Sequence, residues 1–439
     1  MSDLMTQHVD DASKTHSLRS GLLCVPNGLL TVMFVLLLAP WLAVSVLLLQ
    51  TKPVRKLVAT MTNASNRTDP DRVYQLAKGP WGDVTCIRIA LGPPQEFLFA
   101  NQPKTSIPRW FFKGFSTDRL RQFLNGVELT MEERVALLNV NEWKVSPEGI
   151  WLQPPVQVVL QLGPNARRQI YGVLCNYWEN ETQHAPLVFS PGFVDERFAD
   201  SGVSPATVEK VKRLLYPQDK WLLLADIFVL MSQMADSAER RELYQTVMQQ
   251  WTYTAKLRVK PDSNIDQLAD YWGAGRRNKD LRPLLESLRR VQGGAELDIA
   301  HLLPTFARER LYTFPYPTEN PLELRRDCHW TSLNFFNEVP DDSFTDLKNV
   351  AHVMAADHDP VIGNPKMGDI VLLMSPTGSV VHSCVYIVDG IVFNKRGSHF
   401  LEPWVLVKLQ DAVDFYRVVY RPDYALAIKF FRKRQTAAE

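Results

Sequence analysis

Hydrophobic and polar positions separate a long apolar segment near the start of the chain from a mixed remainder. The 32 residues from Ser20 to Thr51 contain no charged side chain, and residues 29–50 among them are predominantly apolar. About 20 apolar residues cross a bilayer as a helix, so this segment predicts a single transmembrane helix. It is longer than the apolar region of a cleaved signal peptide, and it lacks the polar face of a soluble surface helix.

The segments that flank this predicted helix are polar. Residues 1–28 form an N-terminal tail, and residues 51–75 have the small, polar composition of a linker. Lysine and arginine residues flank the apolar segment on both sides. The distribution of positive charge therefore leaves open which side of the membrane carries the main body of the chain.

Residues 76–310 carry short strand patterns among longer helical ones, which predicts a mixed, mostly helical middle region. Residues 85–91 alternate as in a half-buried strand, and residues 156–162 and 169–177 are predicted to form a pair of strands. The apolar stretch 221–234 is short for a second membrane span and predicts a buried helix.

Capping residues mark several helix starts in the same region. Thr130 and Glu133 form a capping-box pattern, and Ser204 precedes a proline at the first position of the next helix. Asn264 lies in the segment that opens another helix. These signals predict helix boundaries but carry no chemistry.

Composition and charge narrow the classes of function. The chain has 439 residues, with 49 Lys and Arg against 48 Asp and Glu, and a net charge of +1 gives no global positive field for nucleic acid. The 5 cysteines are scattered and form no Cys-x-x-Cys pair, so neither a disulfide framework nor a zinc-binding cysteine cluster is predicted. We therefore expect a site of individual side chains, with no cofactor and no metal.

Chemically distinctive residues are concentrated in the last quarter of the chain. Asp327 and Cys328 open a helical pattern, with Asp327 as the N-cap and Cys328 in the first turn. The free amides of a helix N-terminus stabilise a thiolate, so we expect a lowered pKa and raised nucleophilicity for Cys328. His382 and Asn394 follow on two predicted strands that an Asp-Gly turn connects.

A cysteine nucleophile needs a base that accepts its proton and a polar group that orients the base. Cys328, His382 and Asn394 supply these three roles. A three-residue loop with Gly390 as a left-handed bulge places His382 and Asn394 on one face of the hairpin, whereas a two-residue turn places them on opposite faces. We therefore expect the bulged hairpin, with all three side chains converging on one face.

These motifs resemble the NlpC-type papain-like cell-wall peptidases. That family typically has Asp-Cys before a helix, Gly-Asp before a strand, a histidine that opens a strand and a polar residue twelve positions later. A tyrosine twelve residues before the cysteine often contributes to the site in relatives. In this sequence the matching residues are Asp327-Cys328, Gly368-Asp369, His382, Asn394 and Tyr316. The resemblance implies that residues 311–424 form a papain-like domain, with a helix packed on an antiparallel sheet.

The whole chain is accordingly expected to be α+β, with one transmembrane helix, a mostly helical middle region and a C-terminal papain-like domain. Two departures from the family are visible: His329 and Trp330 follow the cysteine where relatives have small residues, and Cys384 stands where they commonly have glycine. The groove beside the nucleophile is therefore expected to differ. Residues 425–439 form a basic tail that is either solvated or in contact with an anionic lipid surface.

The sequence favours a membrane-anchored thiol hydrolase that cleaves amide bonds, and the resemblance implies cell-wall peptides as substrate. Its expected partners are the lipid bilayer, through residues 29–50, and a peptide or peptidoglycan-like substrate. The main body would be extracytoplasmic if that substrate is correct. Two alternatives stay open, an acyl or amide transferase on the same scaffold and a catalytically inactive binding protein.

A further alternative is a metal site, although the spacing matches no familiar ligand pattern. Its ligands would come from Cys328, His329, His352, Asp357 and His358.

Overall fold

The computed structural model describes residues 74–99, 107–317, 326–420 and 425–434. The transmembrane helix predicted at 29–50 lies outside these residues. Within them, no helix combines the length and the apolar character that a membrane crossing requires. The predicted fold class, which included a transmembrane helix, is therefore wrong for the part of the chain that the structure describes, and the α+β class is what that part supports.

The strands of the described residues form four antiparallel sheets. The first sheet has the order β1-β2-β9-β10, and the second and third are small, with the orders β3-β5-β4 and β6-β8-β7. The C-terminal sheet has the order β11-β16-β12-β13-β14-β15. The strands are β1 Tyr74–Gln75, β2 Asp83–Leu91, β3 Trp110–Lys113, β4 Trp143–Ser146, β5 Gly149–Leu152, β6 Leu187–Phe189, β7 Tyr216–Gln218, β8 Trp221–Leu224, β9 Gln250–Val259, β10 Ala295–Asp298, β11 His358–Pro360, β12 Ile370–Met374, β13 Val380–Val388, β14 Ile391–Asn394, β15 Val405–Lys408 and β16 Ala427–Lys433.

Most helices lie in the middle region, between the strands of the first three sheets. The capping residues predicted for them are confirmed: Thr130 and Glu133 form a capping box, and Ser204 and Asn264 cap their helices. The helices are α1 Gln95–Phe99, α2 Thr117–Gly126, α3 Met131–Leu137, α4 Val156–Gln161, α5 Pro164–Leu174, α6 Glu181–His184, α7 Val194–Ala199, α8 Pro205–Leu214, α9 Ile227–Ser232, α10 Ser237–Val247, α11 Ile265–Trp272, α12 Asn278–Arg289, α13 Thr305–Arg310, α14 Cys328–Leu333, α15 Leu347–Asp357 and α16 Leu409–Tyr420.

The middle region differs from its prediction in two places. Residues 156–162 and 169–177, expected to be a strand pair, lie mainly in α4 and α5, and the stretch 221–234 contains strand β8 followed by α9. Buried side chains of α5 recur at helical spacing, at Ala166, Ile170 and Leu174. Burial against the core thus outweighs the β-propensity of the valines in this segment. The region also contributes strands to three sheets, although helical residues still outnumber strand residues in it.

A single hydrophobic core joins the first sheet to the C-terminal sheet. Leu257 of β9 and Trp272 of α11 belong to the same cluster of buried side chains as Trp330 of α14 and Phe393 of β14. Residues on both sides of the predicted boundary at 311 therefore share one core, and the C-terminal sheet is packed against the middle region through it.

Helices cover both faces of the C-terminal sheet. On one face, Phe335 just after α14 contacts Phe393, with ring centroids 5.8 Å apart. On the other face, Val413 and Tyr416 of α16 pack in one cluster with Cys384 of β13. Burial from both sides explains the nearly continuous apolar sequences of β12 and β13.

The last strand of this sheet lies in the segment predicted to be a basic tail. Strand β16 pairs with β12 and with β11. Arg432 of β16 donates two hydrogen bonds to the buried carboxylate of Asp369, at 2.7 and 2.6 Å. Arg432 and Asp369 thus tie the end of the described chain to the turn before β12.

Candidate functional site

The Cys328 side chain is placed by a short, well-capped helix. The Asp327 carboxylate accepts hydrogen bonds from the N–H groups of His329 and Trp330, at 2.8 and 3.0 Å. This confirms Asp327 as the N-cap, with Cys328 at the first position of α14. Cys328 is buried, and α14 packs against β13.

His382 and Asn394 form a buried pair on β13 and β14. The Nε2 atom of His382 lies 2.6 Å from Oδ1 of Asn394, and the two residues are 0% and 2% exposed. An amide oxygen only accepts hydrogen bonds, so Nε2 carries the proton and Nδ1 is the basic nitrogen of this tautomer. Nδ1 is buried and has no hydrogen-bond partner among the described residues. On the α16 side, the imidazole stacks on Tyr416, with ring centroids 4.3 Å apart.

The hairpin that brings this pair together differs in detail from the prediction. Val388 pairs with Ile391, so Asp389 and Gly390 form a two-residue turn, with φ of 40° and 79°. The predicted three-residue loop is therefore wrong. A register shift between Tyr386 and Val388 supplies the extra residue instead, so the bulge lies on the strand. His382 and Asn394 consequently share a face, as expected.

The Cys328 thiol lies where β13 and β14 diverge. The N–H of Tyr386 donates to Asp369 on the β12 side, so the N–H of Ser383, three residues earlier, points to the β14 side. Pairing with β14 extends only as far as Val385, and the main-chain and side-chain groups of Ser383 adjoin the Cys328 thiol, where they act to lower its pKa. The Ser383 side chain also contacts His329, with Oγ 2.9 Å from Nδ1.

The three predicted triad residues are thus neighbours around one strand end but are not linked in a chain. Adjacent strand residues point to opposite faces, so Ser383 faces α14 while His382 faces α16. No hydrogen bond joins Cys328 to His382. The expected convergence on one face therefore holds for His382 and Asn394, and the thiol lies beside the gap between the strands.

Burial determines the protonation states in the resting site. It raises the pKa of the Cys328 thiol to about 12, and the negative charge of Asp327 acts in the same direction. Burial likewise lowers the pKa of His382 to about 3. Both groups are therefore neutral at pH 7. The predicted lowering of the Cys328 pKa is wrong because burial outweighs the stabilisation of a thiolate at the helix start, and the charge of Asp327 adds to the effect of burial.

Tyr316 does not take part in these contacts. Its side chain is 83% exposed, and its ring packs edge-on against Phe97, with centroids 5.3 Å apart. The role that the resemblance implies for Tyr316 has no counterpart in a contact with Cys328 or His382.

Two residues of the site were not identified from the sequence, and a third, His329, was assigned only to the alternative metal site. Ser383 and His329 contact each other beside the thiol, and Lys395 follows Asn394 at the end of β14. Lys395 is 1% exposed, and burial lowers its pKa to about 8, although the charges of Glu402 and Cys328 oppose this shift. The available signal was a lysine and a serine inside otherwise apolar strand sequences.

The Gly-Asp motif before β12 has a structural explanation. Gly368 has a φ of 93°, and a Cβ there would lie 2.2 Å from the ring of Phe336. The Asp369 carboxylate accepts a hydrogen bond from the N–H of Lys366 at 2.7 Å, in addition to those from Arg432. Both residues therefore shape the entry to the sheet rather than touch the thiol.

One group of side chains in the described residues has metal-ligand proximity. The ligand atoms of Asp327, Cys328 and His329 lie within 4.8 Å of one another. Asp327 is already engaged as the helix cap and His329 with Ser383, and the thiol is protonated at neutral pH. The group does not include His352 or His358, so the wider metal alternative is not assembled.

A cavity of about 630 Å³ on the α16 side meets this site at one residue, Asn394. Asn394 is one of its lining residues, together with Val405 and Val407 of β15. A molecule in the cavity would therefore lie next to the His382–Asn394 pair.

Comparison of the chain with protein-family models, with curated proteins and with solved structures finds no match.

Proposed function

We propose that this protein is a thiol hydrolase that cleaves amide bonds, with Cys328 as nucleophile, His382 as base and Asn394 as the residue that orients His382. The observation that carries the proposal is the unpartnered Nδ1 of His382, a buried basic nitrogen one residue along β13 from Ser383, which adjoins the buried Cys328 thiol. Buried polar atoms normally have hydrogen-bond partners, and a catalytic role is one of the explanations for an exception. Cell-wall peptides are the substrates that the sequence resemblance implies.

In this mechanism the thiol first moves from its place beside Ser383, through the gap between β13 and β14, to Nδ1 of His382 on the other face of the sheet. Nδ1 takes the thiol proton as Sγ attacks the amide carbonyl, and it then returns the proton to the leaving amine. Water hydrolyses the resulting thioester and regenerates the thiol. The Asn394 oxygen holds Nε2–H throughout, which keeps the imidazole in the tautomer with a basic Nδ1. The Lys395 ammonium, buried nearby, would favour the developing oxyanion.

A non-catalytic binding protein is the second candidate, and one observation favours it. Burial raises the pKa of Cys328 and lowers that of His382, which opposes formation of a thiolate–imidazolium pair. A transferase on the same scaffold would share every step up to the thioester and would differ only in the amine that resolves it.

An activated ester tests the proposal without a known substrate. Incubation with p-nitrophenyl acetate should release p-nitrophenolate and leave an acetyl group on Cys328, which intact-mass and peptide-mapping spectrometry would detect. Cys328→Ala should abolish both signals, and His382→Gln should slow acylation by about 100-fold or more.

His329→Gln is the matched control, because His329 is the other imidazole near the thiol. It should retain acylation within a few-fold of wild type. If His329→Gln abolishes acylation of Cys328 and His382→Gln is acylated as fast as wild type, the assignment of His382 as the base is wrong. If wild type shows no Cys328 acylation at all, the binding-protein alternative replaces the hydrolase.

A further inference from the structure

The cavity beside Asn394 has a lining that is rich in cations and aromatic rings. It lies among the first sheet, the loop that follows β6 and the α16 face of the C-terminal sheet. Basic side chains in the lining outnumber acidic ones by five to two. The residues that carry the inference are Arg88, Arg197, Arg396, Phe193 and Trp251.

Arg197 is a buried cation with no acidic partner among the described residues. It is 8% exposed, and its guanidinium donates hydrogen bonds only to main-chain carbonyls of residues 246, 247 and 249. Its Nε–H is buried without a partner. Burial lowers the pKa of Arg197 to about 10, with the nearby charges of Arg396 and Arg88 acting in the same direction. A buried charge without a counter-charge is costly.

The other cations of the lining have opposite charges close by. Arg88 pairs with Glu196 at 2.6 Å, and Arg396 pairs with Glu402 at 2.8 Å. Lys220 forms an ion pair with Asp414, and Lys408 and Asp411 attract each other within the lining. Of the five cations in the lining, only Arg197 then has no acidic partner among the described residues, so the cavity has an excess of about one positive charge.

Arg88 adds a second unsatisfied donor and an aromatic wall. Its guanidinium carbon lies 3.5 Å from the ring centroid of Phe193 and 4.3 Å from that of Trp251. Its Nε–H, like that of Arg197, is buried without a partner among the described residues. Guanidinium groups recognise carboxylates through directed N–H donors, and the flanking rings provide surface for a planar or apolar group.

We propose that this cavity binds a small organic anion of single negative charge, a carboxylate attached to a planar or apolar group. The carboxylate accepts hydrogen bonds from the guanidinium groups of Arg197 and Arg88, which line the cavity, and its charge balances Arg197. Because Asn394 lines the same cavity, the ligand lies next to the His382–Asn394 pair. If the proposed hydrolase activity holds, the substrate class is an amide that carries a carboxylate on the portion bound here.

Calorimetric titration of the full-length protein with two probes tests the charge requirement directly. N-benzoylglycine has a carboxylate, a planar ring and an amide, and N-benzoylglycinamide is its uncharged counterpart. The acid should bind saturably with one molecule per chain, and the amide should bind at least ten-fold more weakly. Equal affinities, or no saturable binding of the acid at millimolar concentrations, would overturn the proposal. Tighter binding of phenyl phosphate than of the acid would overturn the assignment of a single charge.

Variants locate the binding in this cavity. Arg197→Met should lower the affinity for N-benzoylglycine at least ten-fold and leave the weak affinity for N-benzoylglycinamide unchanged. Arg282→Met is the control, because Arg282 is a partly exposed residue in an ion pair with Asp266 outside the cavity lining. If Arg197→Met does not fold, the two-probe comparison in wild type still decides the proposal. Cys328→Ser should bind the acid as wild type does, so failure of the hydrolase and failure of the anion site are distinguishable.

Discussion

Two buried polar clusters in this protein differ in how completely their hydrogen bonds are formed. The Arg167 cluster, made of Arg167, Tyr171 and Asp226, lies in the middle region, and each member is at most 1% exposed. The Cys328 cluster, made of Cys328, His382 and Asn394, lies at the diverging ends of β13 and β14. Both clusters contain polar or charged groups whose burial costs free energy, so we compare the hydrogen bonds that offset this cost in each cluster.

Every polar group of the Arg167 cluster has a partner. Arg167 forms an ion pair with Asp226 and donates to the carbonyls of Val159 and Leu162, and the Tyr171 hydroxyl donates to Asp226 at 2.7 Å. Burial raises the pKa of Asp226, and the charge of Arg167 opposes this shift. Such a closed set fixes the packing of α5 against α9 and leaves no atom free for a ligand.

The Cys328 cluster is open by contrast. Its basic nitrogen has no partner among the described residues, its thiol adjoins Ser383 and makes no hydrogen bond to the base, and its members are neutral. The difference teaches that a satisfied buried network stabilises the fold, whereas an unsatisfied one keeps a group available for chemistry. The following experiments test this distinction, beginning with the largest expected effect.

Removing one member of the Arg167 cluster should be severely destabilising. Arg167→Met leaves Asp226 buried without its counter-charge, so we expect a loss of about 3–5 kcal/mol in the free energy of unfolding. Urea denaturation followed by circular dichroism measures this loss. The double variant Arg167→Met with Asp226→Leu should recover most of it, because it leaves no buried charge. A single variant as stable as wild type would show that the cluster is not structural.

Acid should destabilise the protein through His382. Its pKa is about 3 in the folded chain and about 6.5 when unfolded, so the unfolded chain binds the extra proton first as pH falls below about 6.5. The free energy of unfolding therefore decreases as the pH falls from about 6.5 to about 3, because over this range the unfolded chain binds a proton that the folded chain excludes. Between pH 7 and pH 5 this group alone should cost about 2 kcal/mol.

Denaturant titrations at pH 5 and pH 7 check this prediction with His382→Gln. The variant should show a smaller difference between the two pH values than wild type does. His301→Gln, at an exposed position, is the matched control and should keep the wild-type difference. An unchanged difference in His382→Gln would mean that His382 is not held neutral by burial.

The resting thiol should react slowly with an alkylating agent. With a pKa of about 12, Cys328 is almost entirely protonated at pH 8. We expect iodoacetamide to modify Cys328 in the native protein at least ten-fold more slowly than in the unfolded chain, as measured by peptide mapping. Cys175, which is partly exposed, should show a smaller difference between the two states. Rapid native modification at pH 6 would instead restore the activated thiolate that the helix start predicts.

Local signals in the sequence predicted the parts of the site that depend on neighbouring residues. The cap at Asp327, the strands around the Asp-Gly turn and the shared face of His382 and Asn394 all follow from short-range patterns. The position of the bulge did not follow, because a two-residue turn with a shift on the strand and a three-residue loop produce the same outer register. Only the pairing of Val388 with Ile391 distinguishes them.

Properties that depend on distant packing were beyond the sequence. The pKa of Cys328 is set by burial between α14 and β13, and the cavity lining is assembled from segments more than 150 residues apart. The same holds for α4, whose valine-rich sequence favours a strand, and for α5. In α5 the helical spacing of Ala166, Ile170 and Leu174 against the core determines the outcome. A proline at the first position of α5 was the local helix signal that the strand prediction overlooked.

The smallest effect is expected at Tyr316, and it tests how far the family resemblance extends. The resemblance implies that this hydroxyl assists at the site, yet the side chain is 83% exposed and contacts Phe97 through its ring. Tyr316→Phe removes only the hydroxyl and keeps the ring contact. The rate of Cys328 acylation by p-nitrophenyl acetate should therefore stay within two-fold of wild type. Asn394→Ala is the comparison variant, because it removes the oxygen that fixes the His382 tautomer, and it should slow acylation by about ten-fold or more. A loss in Tyr316→Phe as large as in Asn394→Ala would show that the tyrosine moves into the site during the reaction, and the open cluster would then be completed by a residue that lies outside it at rest.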